Sequence, residues 1–205
     1  MLNPTKEKIL EVALNLFAKD GYSSVSIRDI CKQVKIKESS IYYHFKNKQA
    51  IFDELIFQFE SIATSMMTML ETSLTTQGQF GERSYSTVFD YFFEKYLMDG
   101  FCNKVMRLMM MEQFNNEEVR NIYNKWMFVE PLTFQSNIFK MLMEMGNIEK
   151  QDSEYLAIKY YTPIFFFAQK WLFCGELSEQ RKNAFRVDAY KHIQLFFQNL
   201  EEYNV

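Results

Sequence analysis

The sequence predicts an all-α protein, and three observations support this fold class. Only 6 Gly and 3 Pro occur among the 205 residues, so helix breakers are scarce. Apolar residues recur at the spacing of helices instead of alternating as they do in strands. Helix-capping residues stand where the apolar patterns begin and end. The length allows one large domain or two small ones, with enough material for a core.

The first two helices have recognisable ends. Asn3 is a good N-cap and Pro4 suits the first helical position, so the first helix is expected to begin there. Gly21 can supply the cap at its C-terminal end. Ser26 and Asp29 form the spacing of a capping arrangement, which predicts the start of the second helix.

A short third helix follows a turn through Lys35 and Ile36. Its Ile41 and Phe45 are four residues apart, so both are expected to point inward. Two short helices, a tight turn and a polar outer face are typical of a helix-turn-helix. The outward residues are Ser39, Ser40, Tyr42, Tyr43 and His44.

Further helical patterns fill the rest of the chain. Asn47 can cap a fourth helix that continues to about residue 73, with Ile51, Leu55, Ile62, Met66 and Met69 on one face. A polar stretch over residues 72–84 is expected to be a loop. Later helices are predicted over about residues 85–98, 101–114, 117–145, 153–174 and 179–202, with a kink or break at Pro131.

Charge is distributed unevenly along the chain. Residues 1–50 hold nine basic and five acidic side chains, a net of +4, whereas the other 155 residues have a net charge of −7. This asymmetry indicates a basic end that faces nucleic acid on an acidic body. A chance distribution over a solvated surface would give the same numbers.

Cysteine and histidine usage gives no sign of a metal or a disulfide framework. Cys31, Cys102 and Cys174 are widely spaced and odd in number, which favours a reducing cytosol. His44 and His192 are the two histidines, and no metal-ligand spacing includes them. The chain leads almost directly into an amphipathic charged helix, and its apolar runs are short. We therefore expect a cytoplasmic protein with no cofactor, no metal and no membrane association.

The N-terminal segments ILEVALNLFAKDGY, SIRDICKQV and SSIYYHFKNKQAIF closely resemble the TetR family of bacterial transcriptional regulators. The resemblance covers about residues 5–60. It implies a homodimer in which each third helix enters the major groove at one half of a palindromic operator. It also implies a helix-turn-helix DNA-binding domain over residues 1–48 and a helical ligand-binding and dimerisation domain over residues 49–205.

The resemblance also implies which residues contact DNA, and their chemistry suits that role because hydroxyls and cations bind phosphate oxygens while contacts to base edges read sequence. The residues expected to face the groove are Lys37, Ser39, Ser40 and Tyr42. Phosphate contacts are expected from Tyr43, His44 and Lys48, with Ser26 and Arg28 at the start of the second helix.

Two positions depart from the family pattern. Lys37 stands where the family often has a capping Ser, and Ser39 stands where it often has Gly or Ala. An operator sequence therefore cannot be borrowed from a relative. Two alternatives stay open, because Tyr42 could belong partly to the core and His44 could pack on the fourth helix.

The larger C-terminal part is rich in Met and aromatic residues, within totals of 13 Met, 21 Phe and 12 Tyr. Such side chains suit a pocket for a small hydrophobic or amphipathic effector, although core packing would use the same residues. Glu112, Gln113 and Glu130 are the polar residues most embedded in apolar sequence; each could face a cavity and select a cationic ligand, or lie on a solvated face. The predicted ligand-binding residues are Met66, Phe92, Met110, Gln113, Tyr123, Trp126, Phe134, Phe165 and Gln169.

The last two helices carry apolar stripes that fit either a dimer interface, as is common in the family, or an intramolecular core. The predicted interface residues are Tyr155, Tyr161, Trp171, Tyr190, Ile193 and Phe197.

These features predict a ligand-responsive DNA-binding regulator, with repression as the commoner family mode. The alternative is a sequence-specific or architectural DNA-binding protein without a small-molecule sensor. An enzyme is disfavoured, because no Ser/His/Asp arrangement, Gly-rich phosphate loop or recognisable carboxylate pair occurs.

Overall fold

A computed structural model describes residues 3–76 and 90–202, and every regular element in these two ranges is helical, which confirms the all-α prediction. The helices are α1 (Pro4–Asp20), α2 (Ile27–Val34), α3 (Glu38–Ile41), α4 (Lys48–Thr76), the π-helical turn α5 (Phe93–Leu97), α6 (Gly100–Glu112), α7 (Glu117–Asn124), α8 (Glu130–Glu144), α9 (Ser153–Ala168) and α10 (Glu179–Glu202). The π-helical segments Lys125–Val129 and Gln169–Phe173 continue α7 and α9.

The helix ends follow the local signals of the sequence. The Asn3 side chain accepts a hydrogen bond from the backbone N–H two residues later, at 2.9 Å. Gly21 ends α1 with φ +81°, a conformation that favours glycine. The Ser26 and Asp29 side chains each accept from the other's backbone N–H, so the predicted capping box is confirmed. Asn47 accepts from the N–H three residues later in the first turn of α4.

Helix α4 differs from its predicted face and end. It continues to Thr76, into the stretch predicted to be a loop; the remainder of that stretch, and residues 85–89 of the next predicted helix, lie outside the described residues. Of the five residues predicted to share one face, Ile62 and Met69 are exposed. The buried stripe instead advances by three or four residues through Ile51, Leu55, Phe59, Ala63, Met66 and Leu70.

The chain divides into two compact units, Met1–Asn121 and Ile122–Val205. In the first unit, α6 packs on both α1 and α4. The predicted domain boundary after residue 48 falls at the start of α4, inside this unit, so the division by packing differs from the predicted division by function. Fully buried side chains of the unit include Ile9, Phe17, Ile30, Ile41, Leu55 and Phe59.

In the second unit, α9 packs on α8 and α10. The chain stays helical through Pro131, next to the π-helical segment Lys125–Val129. Proline has no N–H to donate to the carbonyl four residues earlier, which belongs to Met127. The hydroxyl of Tyr161 donates to that carbonyl at 2.9 Å, and this bond joins α9 to the segment before α8. Each helix described in the chain is too short or too polar to cross a membrane.

Candidate nucleic-acid interface

Helices α2 and α3 form a helix-turn-helix in the first unit. Lys35 adopts the left-handed conformation, with φ +64°, and reverses the chain after α2. Ile30 on α2 and Ile41 on α3 are fully buried, so the two helices share one apolar contact face. Phe45 is also buried, which confirms the predicted inward pair of α3. Lys37 makes no capping side-chain bond at the start of α3, as its chemistry leads one to expect.

The opposite face of α3 is open to solvent. Tyr42 is 56% exposed and Tyr43 is 89% exposed, so neither ring belongs to the core. Ser39 is exposed, whereas Ser40 and His44 are half-buried. Hydroxyl groups and rings on this face are therefore accessible to a duplex. Exposed cations of the same segment are Arg28, Lys32, Lys35, Lys37 and Lys46.

Arg28 at the start of α2 is bound to the start of α3. Its Nε lies 2.8 Å from Oε1 of Glu38, and both side chains are largely exposed. The hydrogen bond to the Glu38 carboxylate raises the pKa of Arg28 above its ordinary value. Glu38 was not among the predicted site residues. Its carboxylate pairs with Arg28 in this structure, so the guanidinium already has a charged partner within the chain.

Lys48 is held inside the domain. Its ammonium donates to the carbonyl oxygens of Tyr22 and Val25, each at 2.8 Å, and lies 4.2 Å from the centre of the Tyr22 ring. Two of the three donors of the ammonium are thus used on the chain segment between α1 and α2. The structure gives this predicted phosphate ligand a role in fixing that segment to the first turn of α4.

Tyr22 is a contact centre that the sequence analysis missed. Its N–H donates to Oε1 of Glu112 at 3.0 Å, and its hydroxyl donates to Oε1 of Gln49 at 2.8 Å. Its ring packs edge-on against Phe17 and Phe52, with centroids 5.3 and 4.9 Å apart. Burial and nearby carboxylates raise the pKa of Tyr22. No spacing in the sequence joins these residues, because Glu112 is 90 positions away.

The predicted ligand-binding residues fall in both units. In the first unit Met66 is buried, and Phe92, Met110 and Gln113 are half-buried. The second unit holds Tyr123 and Trp126, which are buried, and Phe134, Phe165 and Gln169, which are half-buried.

Three of these side chains come together in an aromatic cluster of Tyr123, Phe128, Tyr161, Phe165 and Gln169. Phe128 lies edge-on to both Tyr123 and Phe165, with centroids 5.9 and 5.0 Å apart. The ring of Tyr161 lies 6.2 Å from that of Phe165. Burial raises the pKa of Tyr123, and a hydrogen bond with the Gln169 side chain opposes this rise. The cluster combines aromatic faces with polar groups, as ligand sites do.

Three surface clefts are lined by residues other than the predicted ligand-binding set. One of about 710 Å³ in the second unit includes Leu156, Phe196 and Leu200. One of about 360 Å³ lies between α8 and α9. One of about 240 Å³ in the first unit is floored by Leu10 and Leu14. Within the described residues, no three His, Cys, Asp or Glu side chains group closely enough to hold a metal ion.

Two of the predicted dimer-interface residues require correction. Tyr161 and Ile193 are buried within the single chain, so their side chains are not available to a second copy. Their apolar periodicity reflects the intramolecular core that the sequence left as the alternative. Tyr155 is exposed, and Trp171 is half-buried, with its indole N–H donating to Asp188 at 2.7 Å. The remaining two, Tyr190 and Phe197, are half-buried.

Comparisons with known proteins agree with this architecture. Residues 9–55 match the family described as bacterial regulatory proteins, tetR family. The chain is 23% identical to the biofilm operon icaADBC HTH-type negative transcriptional regulator IcaR of Staphylococcus aureus (strain Newman), over 93% of this chain and 98% of that protein. Residues 9–55, which match the family, run from α1 to the first turns of α4 and contain the whole candidate interface.

Two solved structures share the fold. The SmeT–triclosan complex has a TM-score of 0.68 and 17% identity, over 94% of this chain and 91% of that chain. A transcriptional regulator from Saccharomonospora viridis in complex with choline has a TM-score of 0.61 and 20% identity, over 88% of this chain and 93% of that chain.

Proposed function

We propose that the chain is a member of the TetR family of bacterial regulatory proteins and a repressor released from DNA by a small hydrophobic or amphipathic molecule. It acts in the cytoplasm as a homodimer on a palindromic operator, without a cofactor and without catalytic activity. The observation that carries the proposal is the open face of α3, where Tyr42 and Tyr43 project from a net-positive segment.

The DNA contacts divide into two classes. Side chains at the start and outer face of α3 approach base edges, which is where sequence is read. Flanking hydroxyls and cations bind phosphate, which fixes register without reading sequence. The proposed base-facing residues are Lys37, Ser39, Ser40 and Tyr42, and the proposed phosphate ligands are Tyr43, His44 and Lys48, with Ser26 and Arg28 on α2.

The dimer is proposed to form through exposed apolar side chains of the second unit. Tyr155, Ile158 and Phe166 are exposed on α9 and are spaced by three and eight residues, so they share one face. Val187 and Leu195 are exposed on α10, also eight residues apart. Large apolar groups left open on one surface are typical of protein interfaces. Trp171, Tyr190 and Phe197 stay in this proposal as half-buried neighbours on the same helices.

The effector is proposed to bind at the aromatic cluster. Its rings offer apolar and cation-attracting faces, and Tyr123 and Gln169 offer hydrogen-bonding groups. Two proteins of the same fold have been solved with small molecules, triclosan in one and choline in the other, and this supports an apolar or amphipathic effector here. Trp126 and Phe134, in the same unit, are further candidates for this site. Met66, Phe92, Met110 and Gln113 stay ligand-binding candidates within the first unit.

Release from DNA follows from a population shift. In the free dimer the two α3 helices match successive major grooves, about 34–36 Å apart or a multiple of that distance. The effector favours a conformation that lacks this match. To shift the dimer from mostly DNA-binding to mostly non-binding conformations, the effector must bind the non-binding conformation more tightly by about 5.5 kcal/mol. The relative IcaR is described as a negative regulator, which supports repression over activation.

The experiment that tests this function is a mobility shift with DNA from the region upstream of the protein's own gene, at defined salt, against a panel of hydrophobic amines and fatty acids. The expected result is a sequence-specific complex that one compound dissociates, while Phe165→Ala binds DNA normally but needs more of that compound. Specific binding that no compound affects would favour the alternative of a DNA-binding protein without a sensor. Binding without any sequence preference would overturn the proposal.

A further inference from the structure

Glu112 is the one carboxylate that is buried among the described residues, with 8% of its surface exposed. Burying a charged group is costly unless a hydrogen-bond partner compensates for the lost water. The backbone N–H of Tyr22 donates to its Oε1 at 3.0 Å, so Glu112 is compensated by the chain between α1 and α2. Glu112 therefore does not lie on a solvated face, which was one of the two alternatives that the sequence left open.

The backbone at this contact turns at Gly21, where α1 ends, and the carboxylate lies at van der Waals distance from this turn. Gly21 has φ +81°, and a Cβ added there would lie 3.7 Å from Oε1 of Glu112. The N–H of Gly21 already donates to Phe17 at the end of α1, which leaves the N–H of Tyr22 as the next donor along the turn. The last residue of α6 thus holds the connection between α1 and α2 by a single charged acceptor.

The same connection is held from its other side by α4. Lys48 donates to the carbonyl of Tyr22, and Gln49 accepts from the Tyr22 hydroxyl. Lys48 also donates to the carbonyl of Val25, directly before the N-cap of α2. A displacement of Tyr22 would therefore alter the support of the first turn of α4 and the entry into α2, which fixes the direction of α3.

We propose that Glu112 is a positioning residue for DNA recognition: its carboxylate holds Tyr22 so that α2 and α3 keep the orientation that reads base edges. The proposal rests on the proposed function and adds a residue on which recognition depends, because the bond from Tyr22 to Glu112 then helps to fix the orientation of α3. A charged acceptor suits this task, since charge-assisted hydrogen bonds are shorter and stronger than neutral ones.

The test compares the full-length wild type with Glu112→Ala, which removes the acceptor, and Glu112→Gln, which keeps an acceptor but removes the charge. Glu118→Gln is the matched control, because it removes one negative charge at an exposed position of α7. Two quantities are measured on each protein: amide hydrogen exchange at Tyr22, and affinity for upstream DNA relative to unrelated DNA of equal length.

For Glu112→Ala we expect exchange at Tyr22 and the dissociation constant for specific DNA each to rise about tenfold, while affinity for unrelated DNA stays within about twofold. Glu112→Gln should fall between this variant and the wild type, and Glu118→Gln should match the wild type. A role in stability alone would lower the unfolding midpoint and weaken both DNA complexes equally.

Unchanged protection of Tyr22, or equal loss on both DNAs, would overturn the positioning role. If Glu112→Ala does not fold, the same two readouts on Glu112→Gln decide the matter, with an expected change of about threefold in each. If the wild type shows no preference between the two DNAs, the proposed function fails and the coupling to DNA fails with it. Exchange at Tyr22 then still reports whether Glu112 holds the turn.

Discussion

The ammonium of Lys48 lies 4.2 Å above the centre of the Tyr22 ring and donates to the carbonyl oxygen of the same residue at 2.8 Å. A cation at the first turn of α4 therefore binds the chain between α1 and α2 through both a ring contact and a hydrogen bond. Lys48 therefore fixes this segment whether or not it also makes the proposed phosphate contact.

Replacement of Lys48 by Met should lower both stability and DNA affinity. Loss of the charged hydrogen bonds to Tyr22 and Val25 should decrease the free energy of unfolding by about 2 kcal/mol. If the side chain also reaches phosphate, the slope of log affinity against log salt should fall by about one. Urea unfolding and mobility shifts at several salt concentrations measure the two effects. Lys46→Met, at an exposed neighbouring position, should leave stability unchanged.

Replacement of Tyr43 by Ala should weaken DNA binding without a change in stability. The side chain is almost fully exposed, so its removal should change the free energy of unfolding by less than about 0.5 kcal/mol. The lost contact is to phosphate, so affinity should fall by a similar factor on specific and unrelated DNA. Phe114→Ala, which removes an exposed ring outside both proposed interfaces, is the control. A wild-type affinity of Tyr43→Ala for both DNAs would remove Tyr43 from the interface.

Stability should depend on pH through Asp29. Hydrogen bonds from the Ser26 hydroxyl and backbone, with smaller help from Lys32 and Arg28, hold the pKa of Asp29 below its ordinary value. A depressed folded-state pKa stabilises the protein above the unfolded-state pKa, and this contribution is lost as pH falls through the folded-state pKa. Ser26→Ala should therefore destabilise more at neutral pH than at pH of about 3, where only the cap bond from the Asp29 N–H is lost.

The Ser26→Ala prediction is checked by urea midpoints at the two pH values. The loss at neutral pH should be about 1 kcal/mol, which is usual for removal of an N-cap side chain. Ser39→Ala, which removes an exposed hydroxyl from α3, serves as the comparison. An equal loss for Ser26→Ala at both pH values would show that Asp29 does not carry the pH dependence.

Replacement of Phe166 by Asp should dissociate the proposed dimer. The side chain is 58% exposed on α9, so the substitution should leave the fold of one chain intact while placing a charge in the apolar contact. Sedimentation velocity at micromolar concentration should show a dimer for the wild type and a monomer for Phe166→Asp. Phe114→Asp, at another exposed Phe, should stay dimeric. A monomeric wild type would contradict the two-half-site mechanism.

Local signals predicted much of the first unit. Asn3, Asn47 and the pair of Ser26 and Asp29 could be identified because a cap and its partner lie within three residues of each other. The inward pair of α3 followed from helical periodicity in the same way. The candidate interface was thus visible in the sequence as a set of residues, although its contact with DNA stays a proposal.

Long-range contacts were not visible. The bond between Tyr22 and Glu112 spans 90 positions, and a lone Glu in apolar sequence is usually on a solvated face or in a loop. Tyr161 and Ile193 were assigned to an interface because an apolar stripe looks the same whether it packs within one chain or against a second copy. The π-helical segments were also missed, since no local residue pattern specifies them.

Recognition of a palindromic operator through α3 is tested most directly by a footprint of the purified protein on DNA upstream of its own gene, with wild type and Tyr43→Ala side by side. We expect the wild type to protect two symmetric half-sites whose centres are one helical turn or a multiple apart. Tyr43→Ala should require a higher concentration for the same pattern. Continuous, salt-sensitive protection without half-sites, equal for both proteins, would contradict recognition of an operator through α3.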